Sequence, residues 1–162
     1  MSDGGWNCQD YRGATHSSLH TTISVLEGLL ELDKWGYEYR QIDRKRASEG
    51  GRRFVLAHSL FRSDKTGETI DKRFLMLSYP SRWRYDILRA LEYFREAEVG
   101  YDPRMQPAID VIHKKRRSDG TWPLQLRHPG AAHFDMEETG KPSRWNTLRA
   151  MRTLGHFGLD IE

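Results

Sequence analysis

Cysteine is nearly absent from this sequence, with Cys8 as the single example in 162 residues. One cysteine excludes an internal disulfide framework and is typical of a protein in a reducing compartment. Long apolar runs are missing as well: the longest candidate, residues 23–32, is interrupted by charged side chains and is too short to cross a bilayer. The start of the chain lacks the basic and then apolar segments of a signal peptide. We therefore expect no transmembrane segment and a cytoplasmic location.

A strong excess of one charge is also lacking, since 26 basic residues stand against 23 acidic ones. Two stretches, 40–53 and 113–117, are locally basic but contain no interleaved aromatic residues. Such stretches are typical of a solvated helix face, and we expect no nucleic-acid partner. Aromatic residues, in contrast, are plentiful, with five Trp, seven Tyr and six Phe. That number is far too high for a disordered chain.

The sequence repeats itself. SDGGWNC at 2–8 returns as SDGTWPL at 118–124, and a shorter copy, FRSD, lies at 61–64. PSRW at 80–83 likewise returns at 142–145. These matches predict a single domain built as a repeat array with a period near 60, in units of approximately 2–62, 63–117 and 118–162.

Each unit is predicted to contain a glycine turn, an apolar helix and then a charged helix. Apolar residues recur at helical spacing in the first helix of each unit, which places Leu26, Leu88 and Leu148 in register, with Met151 and Leu154 on the same face as Leu148. Ser81 and Ser143 follow prolines and are predicted to cap the second and third of these helices. The charged helices are predicted over 38–61, with a break at the Gly-Gly pair 50–51, and over 104–117.

The alternation of apolar and charged helices predicts an all-α fold in two layers, with the apolar helices inside. The repeated turn has a structural explanation. Its aspartate can accept the backbone N–H groups of the turn, its glycine allows the tight bend, and its tryptophan can fill the gap between units. About two and a half helix pairs are expected.

The motifs DGGW at 3–6, DGTW at 119–122 and LHTTISVLEGLLEL at 19–32 carry a family resemblance. The two short motifs resemble the Gly-x-Trp end of the repeated motif of triterpene cyclases. The longer one resembles the helix of protein prenyltransferase β subunits in which a histidine binds zinc. Over essentially its whole length the chain looks like a member of the α/α-toroid superfamily of terpenoid cyclases and protein prenyltransferases, including squalene-cyclase-like bacterial proteins.

The resemblance implies an α/α-toroid fold and a terpenoid- or prenyl-handling protein with an aromatic-lined cavity for an isoprenoid or another apolar ligand. A closed toroid takes about a dozen helices, so this chain would form an incomplete ring. The Asp-x-Asp-Asp motif with which squalene cyclases protonate their substrate is absent, as is the prenyltransferase Asp-x-Cys zinc element. The alternative is therefore a non-catalytic toroid module for binding or assembly.

The N-terminal ends of the apolar helices are predicted to open towards one end of the fold and to line a cavity. Asp86 is the candidate general acid there, although it also suits the positive end of its helix. The candidates for binding a diphosphate are Arg62, Arg82, Arg84, Arg144 and Arg149, with surface and inter-repeat ion pairs as the alternative. Two long loops, 63–82 and 119–142, are predicted to cover this cavity. The predicted cavity residues are Trp6, Trp83, Arg84, Arg144, Trp145, Asn146 and Glu137.

A zinc site is predicted at Cys8, His16 and His20. A thiolate and two imidazoles are suitable zinc ligands, and the two histidines are four residues apart. The resemblance adds support through His20 alone. In the alternative, Cys8 is a small apolar residue and the histidines satisfy nearby loops.

We expect both ends of the repeat array to lack a neighbouring unit. Terminal units without polar caps leave apolar faces exposed to solvent. We therefore expect a homodimer, or docking onto another toroid segment.

Overall fold

A computed structural model describes residues 1–159. This part of the chain contains five α-helices and one small antiparallel hairpin, in which strand β1 (Trp122–Pro123) pairs with β2 (Pro142–Ser143). The described residues are therefore mostly helical, as predicted, and the hairpin is an addition to the prediction. The helices are α1 (Leu19–Lys34), α2 (Gln41–Ala57), α3 (Ile87–Glu96), α4 (Gln106–Lys114) and α5 (Arg144–His156).

Helix α3 packs between α1 and α5, while α2 packs on α1 and α4 packs on α3. Two ion pairs join the three helices of this row. Arg89 of α3 contacts Glu27 of α1 at 2.5 Å, and Arg149 of α5 contacts Glu92 of α3 at 2.7 Å. Both arginines are largely buried. The core between the helices is formed by fully buried side chains, including those of Ile23, Leu26, Leu88, Leu91, Phe94, Ile109, Ile112 and Trp122.

The two Gly-x-Trp turns make the same hydrogen bonds. The backbone N–H of Trp6 donates to the hydroxyl of Thr22 in α1 at 3.0 Å, and that of Trp122 donates to the hydroxyl of Thr147 in α5 at 2.9 Å. In each turn an aspartate accepts the N–H two residues later: Asp3 from residue 5 and Asp119 from residue 121. The predicted role of the aspartate is thus confirmed, and each turn is fastened to a helix of the row.

Helix α2 is continuous through Gly50 and Gly51, so the predicted break is wrong. Both glycines are buried because other parts of the fold approach their backbone closely. A Cβ atom on Gly51 would lie 2.6 Å from the ring of Trp6, and one on Gly50 would lie 3.1 Å from the carbonyl oxygen of Gly4. The glycine pair therefore admits the first Gly-x-Trp turn against the middle of the helix.

One of the two predicted N-caps is correct. The Ser143 hydroxyl accepts the N–H of Asn146 at 2.9 Å at the start of α5. Ser81, however, lies in a turn in which its carbonyl accepts the N–H of Arg84, and α3 begins only at Ile87. The residue that caps α3 is Asp86, which accepts the N–H of Arg89 at 2.8 Å. A carboxylate that starts the helix at this point leaves Ser81 outside it.

The predicted helix register fails for α5. Leu26 and Leu88 are fully buried, but Leu148 and Met151 are 49% and 45% exposed. The ion pair between Arg149 and Glu92 turns the adjacent face of α5 towards α3, and this leaves Leu148 outside the core. Leu154, the third residue of the predicted face, is fully buried as expected, and Ala150 is buried beside it.

The charged helices are shorter than predicted, at Gln41–Ala57 and Gln106–Lys114. Arg40 has a left-handed backbone conformation, with φ of 51°, directly before α2. A 3₁₀ turn over Pro103–Met105 precedes α4. Within residues 1–159, no helix combines the length and the apolar character required to span a membrane.

Candidate ligand-binding site

Two adjoining pockets lie beside the segments that precede α3 and α5, and the side chain of His128 lines both. The larger is a cavity of about 140 Å³ between Tyr79, Arg82 and the loop from 127 to 137. The smaller has His20, Asp71, Phe74 and Arg84 in its walls. We call the two together the arginine cleft, after Arg82 and Arg84.

Arg82 and Arg84 form no ion pair within residues 1–159. The guanidinium of Arg82 donates long hydrogen bonds to the carbonyl oxygens of Pro129 and Ala131, at 3.3 and 3.5 Å. That of Arg84 lies over the ring of Trp83, 4.6 Å from its centroid. In contrast, the other two arginines of the cleft, Arg73 and Arg127, are paired with Asp71 and Asp135 respectively. The cleft therefore holds two positive charges without a carboxylate partner.

His20 enters the cleft from the first turn of α1. Its Nδ1 accepts the backbone N–H of Tyr85 at 2.8 Å, so the neutral ring carries its proton on Nε2. Its ring meets the rings of Phe74 and Trp83 edge to face at 5.2 and 5.3 Å. Burial, together with the positive charge of Arg84, holds the pKa of His20 below its usual value. At neutral pH His20 is therefore an uncharged hydrogen-bond donor.

Two polar atoms in the walls of the cleft are buried without a hydrogen-bond partner in the part of the chain described, His128 Nε2 and Glu137 Oε2. The other carboxylate oxygen of Glu137 accepts the backbone N–H of Arg144 at 2.7 Å. Burial and the nearby Arg84 also lower the pKa of His128. Buried polar atoms normally have partners. His128 Nε2 can hydrogen-bond to an anionic ligand, whereas the carboxylate oxygen of Glu137 can only accept from a donor.

Aromatic side chains border the cleft. The ring of Trp145 stacks on Tyr79 with centroids 5.0 Å apart and planes inclined by 11°. Phe134 and Met136, on the covering loop, line the same cavity and are otherwise exposed. These side chains offer an apolar surface beside the arginines.

Asp86, the predicted general acid, is 1% exposed and engaged in the core. Its carboxylate accepts the Ser78 hydroxyl at 2.7 Å and the N–H of Arg89 at 2.8 Å. The same Ser78 offers its carbonyl oxygen to Arg149 at 3.0 Å. Asp86 thus lies in a buried polar cluster that ties the start of α3 to α5.

The predicted cavity residues are distributed over several places. Arg84 and Glu137 line the arginine cleft, and Trp83 and Trp145 lie at its border. Asn146 is buried, with its side chain donating to the carbonyl of Pro123 at 3.1 Å. The side chain of Arg144 is exposed. Trp6 lines a separate groove between α1 and α2.

The predicted zinc ligands do not form a cluster in the described part of the chain, in which no three His, Cys, Asp or Glu side chains could together hold a metal ion. Cys8 is exposed, with its backbone N–H bonded to the hydroxyl of Thr21 at 3.2 Å. His16 offers its carbonyl oxygen to Asn7. Zinc binding by Cys8, His16 and His20 stays a prediction.

His128 and Tyr79 line the cleft but are not among the site residues that the sequence predicts. His128 belongs to RHPG at 127–130, within the long loop that was expected to cover the cavity. The unusual length of that loop is thus the one feature of the sequence that indicates a site residue there. Tyr79 precedes the PSRW motif, which had been interpreted as a helix start.

Comparisons of this chain with protein-family models, with curated proteins and with solved structures found no match.

Proposed function

We propose that the chain is a segment of an α/α-toroid-like repeat array whose arginine cleft binds a small anionic ligand with an apolar portion, such as a short prenyl diphosphate. The observation that carries this proposal is the pair Arg82 and Arg84, which line the cleft without a carboxylate partner in residues 1–159. Arginine forks match phosphate oxygens in geometry and charge. The row of α1, α3 and α5, with α2 and α4 packed against it, supports the toroid-like arrangement.

The size of the cavity favours a short ligand. At about 140 Å³ it lies well below the roughly 300–1,000 Å³ of pockets for drug-sized molecules. A squalene-sized hydrocarbon would extend far beyond it, whereas the charged end of a short prenyl diphosphate would lie at Arg82 in this cavity, beside the smaller pocket that Arg84 lines. The uncharged donors His20 and His128 suit the remaining phosphate oxygens.

Binding is a better assignment than turnover. Asp86 holds two hydrogen bonds inside the core and is 1% exposed, so its carboxylate is engaged in the structure of the fold. The Asp-rich motif of the cyclases is absent from the sequence. Catalysis by Asp86 stays a prediction. Incubation of the protein with the ligand, followed by analysis for products, tests it.

Isothermal titration with dimethylallyl diphosphate tests the proposal. We expect saturable binding, no product, and no binding of the corresponding alcohol, which lacks the phosphates. Arg82→Gln and Arg84→Gln should each weaken binding about tenfold or more, because a charge-assisted hydrogen bond contributes about 1.5–3 kcal/mol. Arg53→Gln is the matched control, since Arg53 is exposed on α2 away from the cleft.

An equal loss of affinity in all three variants would contradict a specific site and would indicate a general effect of charge. Absence of binding by the wild-type protein would also contradict the proposal. Binding of the alcohol as tightly as the diphosphate would show that the apolar border, and not the arginines, holds the ligand.

A second candidate function, that of an assembly module, is favoured by a different observation. The two terminal helices of the row, α1 and α5, both carry exposed or half-buried apolar side chains on faces that do not contact α3. These faces are consistent with the expected homodimer or docking onto another toroid segment.

A further inference from the structure

The larger cavity of the arginine cleft has both a positive and a negative side chain in its wall. Arg82 and Glu137 line this cavity of about 140 Å³, and within residues 1–159 they form no ion pair with each other. The other two charged side chains of the wall, Arg127 and Asp135, contact each other at 2.6 Å and compensate each other's charge. Arg82 and Glu137 are therefore the two charges that this cavity offers to a ligand.

One carboxylate oxygen of Glu137 is fixed and the other has no partner. Oε1 accepts the backbone N–H of Arg144 at 2.7 Å, which holds the carboxylate in place. Oε2 is buried and has no hydrogen-bond partner in the described part of the chain. A buried carboxylate is unfavourable unless it is hydrogen-bonded and its charge is compensated. A ligand group that donates a hydrogen bond and carries a positive charge meets both requirements, as an ammonium group does.

Aromatic rings form another part of the cavity wall. Phe134 lines the cavity and is 73% exposed, so its ring is not packed into the core. Tyr79 lines it as well, with its ring stacked on Trp145. Aromatic rings attract an ammonium group electrostatically and also pack against a carbon chain. The wall therefore suits a ligand in which carbon atoms connect an ammonium group to an anion.

The volume of the cavity and the donors around it restrict the two ends of such a ligand. A cavity of about 140 Å³ has room for only a short carbon chain between the two charged groups. At the anionic end, Arg82 lies in the same cavity as His128, which also lines the smaller pocket with Arg84. Two guanidinium groups and an imidazole supply more donors than a carboxylate needs, and they suit the oxygens of a phosphate group.

We propose that the arginine cleft selects the phosphate ester of a short amino alcohol, with the phosphate at Arg82 and the ammonium group at Glu137. The carbon chain between the two charged groups is then the apolar portion of the ligand. This inference rests on the proposed function, because it takes Arg82 and Arg84 as the residues that bind the phosphate. It adds Glu137 as the residue that distinguishes an ammonium group from a hydroxyl or a methyl group at the other end.

Isothermal titration with three phosphate esters of equal length tests this selectivity. The esters are 2-aminoethyl phosphate, 2-hydroxyethyl phosphate and propyl phosphate, which differ only in a terminal ammonium, hydroxyl or methyl group. We expect the wild-type protein to bind the amino compound about tenfold or more tightly than either of the others, because only the ammonium group makes a charge-assisted hydrogen bond to the carboxylate. Arg82→Gln should weaken binding of all three by a similar factor, since they share the phosphate.

Glu137→Gln isolates the contribution of the carboxylate. Glutamine keeps an oxygen that can accept the N–H of Arg144, but it removes the negative charge. We expect this variant to bind the three esters with affinities within about twofold of one another. Glu138→Gln is the matched control, since Glu138 is an exposed carboxylate next in the chain, and it should keep the wild-type preference. Circular dichroism and thermal melting check that both variants are folded.

Three outcomes would overturn the proposal. One is equal binding of the three esters by the wild-type protein, or tighter binding of the hydroxyl compound. Another is a preference for the amino compound that persists in Glu137→Gln, because the ammonium group would then be bound elsewhere. The third is the absence of binding by all three esters. Titration with dimethylallyl diphosphate separates the two levels: if it binds while the ammonium preference is missing, only the role of Glu137 fails, whereas if neither it nor the esters bind, the proposed function fails as well.

Discussion

In α2, the glycine at position 51 determines whether the first Gly-x-Trp turn can pack against the helix. Glycine usually weakens a helix interior, and yet Gly51 lies in an unbroken helix because the ring of Trp6 occupies the place of its missing side chain. A methyl group there would lie 2.6 Å from that ring and 2.9 Å from Leu26. The first Gly-x-Trp turn therefore depends on this glycine as much as on its own.

We predict that Gly51→Ala destabilises the protein by about 1–3 kcal/mol, because overpacking forces neighbouring side chains and backbone to shift. The matched control is Gly28→Ala in α1, where a Cβ atom meets nothing within 4 Å. That substitution should stabilise by about 0.5–1 kcal/mol through helix propensity. Urea unfolding measures both, and an equal effect of the two would refute the close contact with Trp6.

His20 is the residue that links stability to pH. Burial and the positive charge of Arg84 lower its pKa in the folded protein, whereas in the unfolded chain it titrates near 6.5. Between these two pKa values the unfolded chain binds more protons. The contribution of His20 to stability is therefore fully present above about pH 6.5 and is lost as the pH falls through the lower folded value.

We predict that His20→Gln reduces the loss of stability on acidification below about pH 6.5, because the variant has no group to protonate at this position. His133→Gln is the control, since His133 is exposed in the loop that covers the cleft. Free energies of unfolding between about pH 5 and pH 8 give the slopes to compare. If the wild-type and His20→Gln slopes coincide, burial of His20 does not control this dependence.

At the scale of the helices, the caps decide where each element begins. The prolines before Ser81 and Ser143 predicted two equivalent helix starts, and only Ser143 acts as a cap. Asp86 replaces Ser81 because its carboxylate accepts both the N–H of Arg89, the third residue of α3, and the Ser78 hydroxyl. A buried carboxylate with two donors is a stronger start than a serine in a turn.

We predict that Ser143→Ala costs about 1 kcal/mol of stability, the usual effect of losing an N-cap. Asp86→Ala should cost more, because it also leaves the buried Ser78 hydroxyl without an acceptor. Ser81→Ala should have almost no effect, since its side chain caps no helix. Thermal unfolding of the three variants gives this order, and a large effect of Ser81→Ala would restore the original prediction.

At the scale of the whole molecule, the row of α1, α3 and α5 organises everything else. Two ion pairs with buried arginines connect its helices, and one Gly-x-Trp turn is hydrogen-bonded to α1 and the other to α5. The arginine cleft lies beside the segments that precede α3 and α5. Exposed apolar side chains lie at both ends of the row, such as Trp35 and Leu148, and also at the cleft, such as Trp83 and Phe134. The proposed ligand site and the two ends of the row are different parts of the fold, so a substitution in one leaves the other intact.

The sequence by itself determined the features that depend on local chemistry. Apolar residues at helical spacing predicted helical segments, glycine with aspartate and tryptophan predicted the two turns, and a serine after a proline predicted the start of α5. Each of these needs only neighbours within a few residues, because propensity, capping and turn geometry act over that distance. The basic residues of α2 are likewise mostly exposed, as their charge pattern indicated.

The tertiary structure alone decided which faces are buried and which side chains meet. Spacing gives a helix an apolar face, but the ion pair of Arg149 with Glu92 determined that Leu148 remains outside the core. The arginine cleft brings together His20, Arg84 and His128, which lie 64 and 44 residues apart along the chain. Local conformational preferences do not encode this contact between distant residues. It follows from the packing of α1 on α3 and from the position of the loop at 127–137.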